Sequence, residues 1–442
     1  MTETAYRTVR EICDPGRGIT YGIVQPGQTI DAGVPIVRVH NFTEAGLDLS
    51  APLRVDPAVE ARYSRSRPHP GDVLISLVGS IGLVAVAPPG ISGWNLARAV
   101  GLLPFHDRDD ARWVAYALRS PDAQSFIHRH ANTTVQATFN LKDLARLPVP
   151  YPPQRRRQQV LAVLGALDDK IELNRRMNET LEAMAQAIFR DWFVDFGPVR
   201  RKMAGATDPV AVMGGLGAIG NRAAELAALF PNALVHDRPA GWRIGTLGEL
   251  AKVAGDGADP SCVAAETPYI GLEHMPRRSL ALNEWDCASK VSSQKRRFRQ
   301  GQILFGKLRP YFHKVGIAPV DGLCSTDIVV LDSQKPRDRE LVTACVSSDE
   351  FVAFTDRSST GTKMPRTSWA LMRSFELPIP GKEVGEAFSN IVQPMHAKIV
   401  ATVAENRTLA ETRDYLLPRL MSGEVRVGEA EREATSALAG AG

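Results

Sequence analysis

The hydrophobic positions of this chain alternate in steps of four and three over one long stretch. Between residues 154 and 196, Val160, Leu164, Leu167, Ile171, Leu181, Ala185, Ile188 and Trp192 share one helical stripe, and Asn174 and Asn178 occupy its centre. This alternation is the seam of a coiled coil, narrower than the apolar stripe of an ordinary surface helix. A helix of that length extends roughly 60 Å at ~1.5 Å per residue. Pro152 and Pro153 bar an earlier start, and Gly197-Pro198 predicts the end.

The pattern returns 228 positions later as Phe388, Val392, Met395, Ile399, Thr402, Asn406, Leu409, Arg413, Leu416 and Leu420. Its ends are again apolar and its centre polar. Asn178, Thr180 and Leu181 recur as Asn406, Thr408 and Leu409. Two helices with the same seam and the same polar notch are natural partners, and a polar residue on a seam fixes register at some cost in stability. Arg413 stands where the first copy has Ala185. Pro394 predicts a kink or a late start for the second helix.

The repeat extends beyond the helices. PIVRV at 35–39 matches PYIGL at 268–272, VAVAP at 84–88 matches VGIAP at 315–319, and LPVP at 147–150 matches LPIP at 377–380. Short β-branched runs bounded by Gly and Pro predict strands at 36–39, 73–78, 83–87, 303–305, 314–318 and 328–331. Helical stretches are predicted at 111–128 and 339–354. There is no clean βαβ alternation, so each unit reads as α+β with a mostly antiparallel sheet. The expected organisation is a globular domain at 1–152, a helix at 153–197, a linker at 198–240, a second domain at 241–380, a second helix at 381–424 and a flexible tail at 425–442. The linker, rich in Gly, Ala and Pro, is expected to pack loosely, with a short helical piece at 222–230.

Composition narrows the class. With 442 residues, 44% hydrophobic and 23% charged, the chain reads as a soluble protein of two or three domains. No apolar run approaches a membrane span and the N-terminus is no signal peptide. The 5 scattered cysteines, without C-x-x-C, point to reduced thiols in the cytoplasm. A net charge of +4 is weak evidence for nucleic acid.

Two motifs point elsewhere. Gly215, Gly217 and Gly220 form a G-x-G-x-x-G, so a self-contained cofactor-binding enzyme using 215–220 is an alternative function. No further βα units follow to build a dinucleotide-binding sheet, and a Gly/Ala linker explains the glycines better. Gly301, Gly306 and Lys307 resemble a phosphate loop, but Leu308 replaces the metal-binding hydroxyl. Gly301, like Gly71 in the first copy, is better read as a tight turn before a strand. No residues are assigned to catalysis, to a metal or to a cofactor.

Basic residues interleaved with aromatics and hydroxyls remain. The candidates are Lys295, Arg297, Lys307, Arg309, Tyr311, Thr362, Lys363 and Arg366 in the second unit, and His40, Asn41, Asn132, Thr134 and Gln136 in the first. Arg and Lys suit phosphates and guanine edges, and Asn and Gln suit adenine. A DNA-independent coiled-coil scaffold is the remaining alternative.

At this point the chain resembles the specificity subunits of type I restriction-modification systems. The resemblance covers nearly the whole length. It rests on the paired units, the L-P-x-P-x-P-P-Q opening at 147–154, ALDDKIELN at 166–174, FVDF at 193–196 and AELAALFP at 224–231. It continues with GKLRPY at 306–311, STD at 325–327 and LLPRLMSG at 416–423. The resemblance implies two target-recognition domains, each reading half of a bipartite double-stranded DNA site, joined by two long antiparallel coiled-coil helices. It implies a non-catalytic subunit that binds two modification subunits, which methylate adenine with S-adenosylmethionine, and restriction subunits that use ATP and magnesium. The helix-pairing residues are then Leu167, Ile171, Asn174, Asn178 and Leu181 against Ile399, Thr402, Asn406 and Leu409, with the Asn notch midway.

Overall fold

In the computed structural model both seams are helices, Gln154–Phe189 and Lys382–Ser422. The structure describes residues 5–43, 46–50, 52–132, 136–215, 221–357 and 364–439. The chain divides into one unit of residues 1–172 with 409–442 and another of 173–408, and the division falls inside both helices.

In the first unit, Val160, Leu164 and Leu167 join Leu409, Leu416 and Leu420 in one core with Trp113, Val114 and Leu118. A four-stranded antiparallel sheet runs in the order Thr20–Tyr21, Val100–Leu103, Val73–Ser76, Val84–Val86. A second sheet of Leu53–Val55, Val34–Val37 and Asn95–Leu96 contains a parallel pair. Arg413, the seam position that departs from the first copy, donates to Asp168 at 2.8 Å, and the Tyr116 hydroxyl donates to the other oxygen of that carboxylate. A seam arginine is thus tolerated because a carboxylate on the partner helix meets it.

The second unit repeats the plan. Its four-stranded sheet runs Ala251–Val253, Ile328–Ser333, Ile303–Gly306, Val315–Ile317, again antiparallel. Its helix seam buries Ala185, Ile188 and Trp192 with Phe388, Val392 and Met395. Next along lies the polar notch. The Asn174 amide donates to Asn406 Oδ1 at 2.8 Å, and the Thr402 hydroxyl donates to Asn178 Oδ1 at 2.6 Å. Partner numbers fall on one helix as they rise on the other, so the two helices run antiparallel. All four side chains are buried.

The structure differs from expectation in five places. The second helix begins well before Pro394 and continues through it, so there is no late start. Phe388, Val392 and Met395 bury around the proline and offset the missing backbone hydrogen bond. The predicted helix 111–128 is two, Arg108–Arg119 and Pro121–His130, because Ser120 before Pro121 is extended (φ −63°, ψ 150°) and caps the second. The stretch 339–354 likewise splits into Arg339–Val346 and Asp349–Arg357. Ser347 and Ser348 make the break, the Ser348 hydroxyl accepting from the Phe351 amide.

The region 198–240 is no loose linker. Val199, Val212, Met213, Leu226 and Phe230 are buried in the same core as Trp192. The Phe230 ring meets Trp192 edge-on at 5.0 Å. After Phe189 the first long helix widens into a π turn, Arg190–Val194, and Gly197–Met203 starts a new helix with Pro198 in its first turn. The tail is no free segment either. Val427–Ala439 is a helix whose Ala430 and Ala434 are buried in the core of the first unit. Alanines four apart contribute little apolar area each, so the periodicity is faint although the packing is close.

Two outcomes follow for stability. Asn174→Ala leaves Asn406 Oδ1 buried and unpaired and is expected to cost ~1–3 kcal/mol in chemical denaturation. Replacing Asn174 and Asn406 together by leucine is expected to cost less than the single change, or to stabilise. The second outcome concerns His396, 6% exposed, whose Nε2 has no hydrogen-bond partner. Burial pushes it from 6.5 down to about 4. The unfolded chain therefore binds the proton that the folded chain refuses, and stability falls as pH drops from 6.5 towards about 4. His396→Leu is expected to remove on the order of 3 kcal/mol of that acid slope, measured as denaturation midpoints across the range.

Candidate nucleic-acid interface

The C-terminal end of the third strand in each four-stranded sheet, Val73–Ser76 and Ile303–Gly306, carries the same hydrogen-bond frame in both units. In the first, the Leu77 amide donates to Ala99 O at 2.7 Å, the Phe139 amide to Leu77 O at 2.8 Å and the Ser76 amide to Leu83 O at 2.9 Å. In the second, Lys307 N donates to Asp327 O at 2.9 Å, Thr367 N to Lys307 O at 3.0 Å and Gly306 N to Lys314 O at 2.9 Å. Isolated antiparallel bridges, Val78 with Thr138 and Leu308 with Arg366, close each frame. Each frame presents a tight turn after the strand and one end of a second loop. The amides of Gly306 and Lys307 are spent on this frame, so the 301–307 stretch offers no phosphate cradle there. Gly301 makes the tight turn at φ +81°, as Gly71 does at φ +94°.

The frames hold unlike turns. In the first unit Gly79 and Gly82 take the left-handed positions at φ +81° and +85°. In the second the corresponding positions are Arg309 and His313, at φ +52° and +51°. A non-glycine residue there costs roughly 1–2 kcal/mol. His313 is buried and braced, with Nε2 2.9 Å from Ser347 O and Nδ1 3.4 Å from Asp349. Burial holds its pKa below the ordinary value. Arg309 is pinned through its amide, which donates to Pro365 O at 2.7 Å. Between them Tyr311 stands 51% exposed, its ring 4.7 Å from Phe312.

The structure gathers Lys307, Arg309, Tyr311 and Arg366 at this one turn. Arg366 also meets Asp327 at 3.4 Å. Arg297 is exposed on the strand Lys295–Phe298 of a different sheet. Asn132 and Gln136 are exposed where the first unit's loop leaves its frame. His40 is exposed, 2.9 Å from an Arg38 nitrogen. Thr134, Thr362 and Lys363, with residues 216–220 of the glycine motif, lie outside the described residues.

Two candidates point inward. Lys295 is 6% exposed, and its ammonium donates to Ser293 O and Oγ at 2.8 and 2.6 Å. Asn41 is 3% exposed, accepting from the Arg38 amide and donating to Asp48 O, so it shapes a turn. Sequence reasoning missed Arg277, whose guanidinium lies over the Phe312 ring at 4.1 Å. The signal was only a basic pair, Arg277-Arg278, in a stretch with no periodicity.

A family model described as type I restriction modification DNA specificity domain matches residues 40–183. The type I restriction enzyme HindI specificity subunit of Haemophilus influenzae is 26% identical over 346 residues, 67% of this chain and 72% of that one. The MjaIX specificity subunit of Methanocaldococcus jannaschii is 22% identical over 371 residues, 81% of this chain and 78% of the relative. A type I restriction-modification S subunit from M. genitalium aligns with 94% of this chain and 95% of its own at 14% identity and a TM-score of 0.44. Among the described residues no helix is long and apolar enough to cross a membrane.

Beside the turn is a cavity of about 470 Å³ lined by Glu179, Glu182, Arg278, His313, Asp349 and Glu350 among others. The Ser279 hydroxyl donates to Glu182 Oε1 at 3.0 Å and ties the 277–280 segment to the first long helix. Burial pushes the Glu182 carboxyl up to about 6, against the Leu280 and Ala281 amides and the Ser279 hydroxyl. A carboxyl raised in this way keeps a proton that the unfolded chain has released, so stability falls as pH rises from 4.5 through about 6. Glu182→Gln is expected to melt above the wild type at pH ~7.5, the gap closing below pH ~4.5, as followed by circular dichroism.

Proposed function

We propose, from the premise that this chain belongs to the specificity subunits of type I restriction-modification systems, that it reads a bipartite double-stranded DNA site with one repeated unit per half-site. In this reading it presents the site to two modification subunits and to restriction subunits. The observation that carries the reading is the frame built twice with unlike turns on it. One scaffold repeated in one chain, differing where side chains meet solvent, is what reading two different half-sites requires.

The chemistry of the turns supports DNA as the ligand. Lys307, Arg309 and Arg366 supply positive charge to phosphates or guanine edges, and Tyr311 supplies an aromatic face with a hydroxyl. Asn132 and Gln136 in the first unit carry amides, which pair with adenine. The chain itself makes and breaks no bond. Methyl transfer from S-adenosylmethionine and ATP-driven steps with magnesium belong to the partner subunits, acting in the cytoplasm.

Mapping methylated adenines in DNA from cells carrying the chain and its partners tests this. The wild type is expected to yield one bipartite motif. Arg309→Ala is expected to relax or weaken one half only, by ~1–3 kcal/mol if it reads a base. Gln136→Ala is expected to act on the other half alone. If both variants keep the wild-type motif, or both alter the same half, the division of labour is wrong.

A further inference from the structure

We infer that Arg277, its guanidinium held over the Phe312 ring, is a specificity-determining residue of the second unit that reads a guanine through its two outer nitrogens. The inference rests on the proposed DNA-reading function and names a base contact within it.

The first ground is preorganisation. Six non-glycine residues have positive φ among the described residues, and three of them, Arg278, Arg309 and His313, meet at this turn. The Arg278 amide donates to His313 O at 2.9 Å, and the Ile317 amide to Leu280 O at 3.0 Å, so the 277–280 segment is laced to the turn from both sides. Strain concentrated at one site, where the sister unit uses glycine, marks a position at which side chains rather than backbone ease were required.

The second ground is the charge pattern. Arg278 is 2.8 Å from Asp349, Arg366 is 3.4 Å from Asp327, and Lys314 is tied back to Leu272 O. Arg277 is exposed and, among the described residues, has no ion pair or hydrogen bond. Its guanidinium carbon lies over the Phe312 ring, 4.1 Å from the centroid. A guanidinium held over a ring by cation–π attraction, without an ion pair or hydrogen bond among the described residues, keeps its donors available for another partner. A planar two-donor edge matches O6 and N7 of guanine, which a point-charge ammonium does not.

The test uses the complete chain with its modification subunits, scoring methylation and binding on DNA randomised in the second half-site. Arg277→Ala is expected to lower the preference for guanine at one position roughly tenfold or more, with the first half and the salt dependence of binding unchanged. Arg277→Lys is expected to lose the same preference despite keeping the charge. Phe312→Leu, which removes the stack, is expected to lose part of it. If Arg277→Ala instead weakens binding to all sequences alike and lowers the salt slope by about one, the residue contacts phosphate and the inference is overturned. An unchanged base preference in both Arg277 variants overturns it as well. In either case the proposed function stands if the wild type still gives a bipartite motif. A wild-type complex that methylates no such motif overturns the parent reading instead.

Discussion

A buried polar notch in an otherwise apolar seam is the constraint on which the helix pairing depends. Leucine-like seams slide, because one apolar layer serves nearly as well as the next. Four buried side chains with directed hydrogen bonds do not slide. Shifting the pair by one layer would leave the Asn174 amide nitrogen, Asn406 Oδ1 and Asn178 Oδ1 against hydrocarbon, each losing a partner at ~1–3 kcal/mol, while the Thr402 hydroxyl keeps carbonyls of its own helix. The notch therefore costs stability relative to leucine and returns a single alignment. In the first unit the Arg413–Asp168 pair works in the same sense, since a shift would part the seam arginine from the carboxylate it meets across the pair.

A repeated scaffold with a fixed alignment frees the turns to differ. The strand ends at Ser76 and Gly306 close with the same backbone bonds, so the side chains beyond them are not needed to hold the sheet. In the first unit glycines take the left-handed positions. In the second, Arg309 and His313 take them, and the surroundings bear the strain by bracing His313 between Ser347 and Asp349. The fold thus separates what must stay constant, the frame, from what can vary, the turn.

Several assignments changed for one reason: composition reports average behaviour, and packing is decided residue by residue. Gly and Ala made 198–240 look like a linker, yet Val199, Met213, Leu226 and Phe230 cover Trp192. A basic strand looked like a DNA contact, yet Lys295 turns its ammonium to Ser293 while Arg297, two residues on, faces solvent. Residues two apart share a strand face, so it is the local partner at Ser293, not alternation, that separates the two cations, and a count of charges does not see it.

The sequence by itself determined the elements whose burial is periodic. The four-three spacing marked both long helices, the 228-residue repeat marked two units, and glycine before β-branched runs marked the turns at Gly71 and Gly301. These are local signals, written within a few residues of where they act. Tertiary structure alone decided which candidates face outward, that Asn41 is spent on its own turn, and that the C-terminal helix packs on the first unit. It also decided that the Arg277 guanidinium lies over Phe312, across an intervening stretch of sheet. Such contacts join segments distant in sequence, and their energies depend on distance and angle between side chains. No spacing along the chain encodes those quantities.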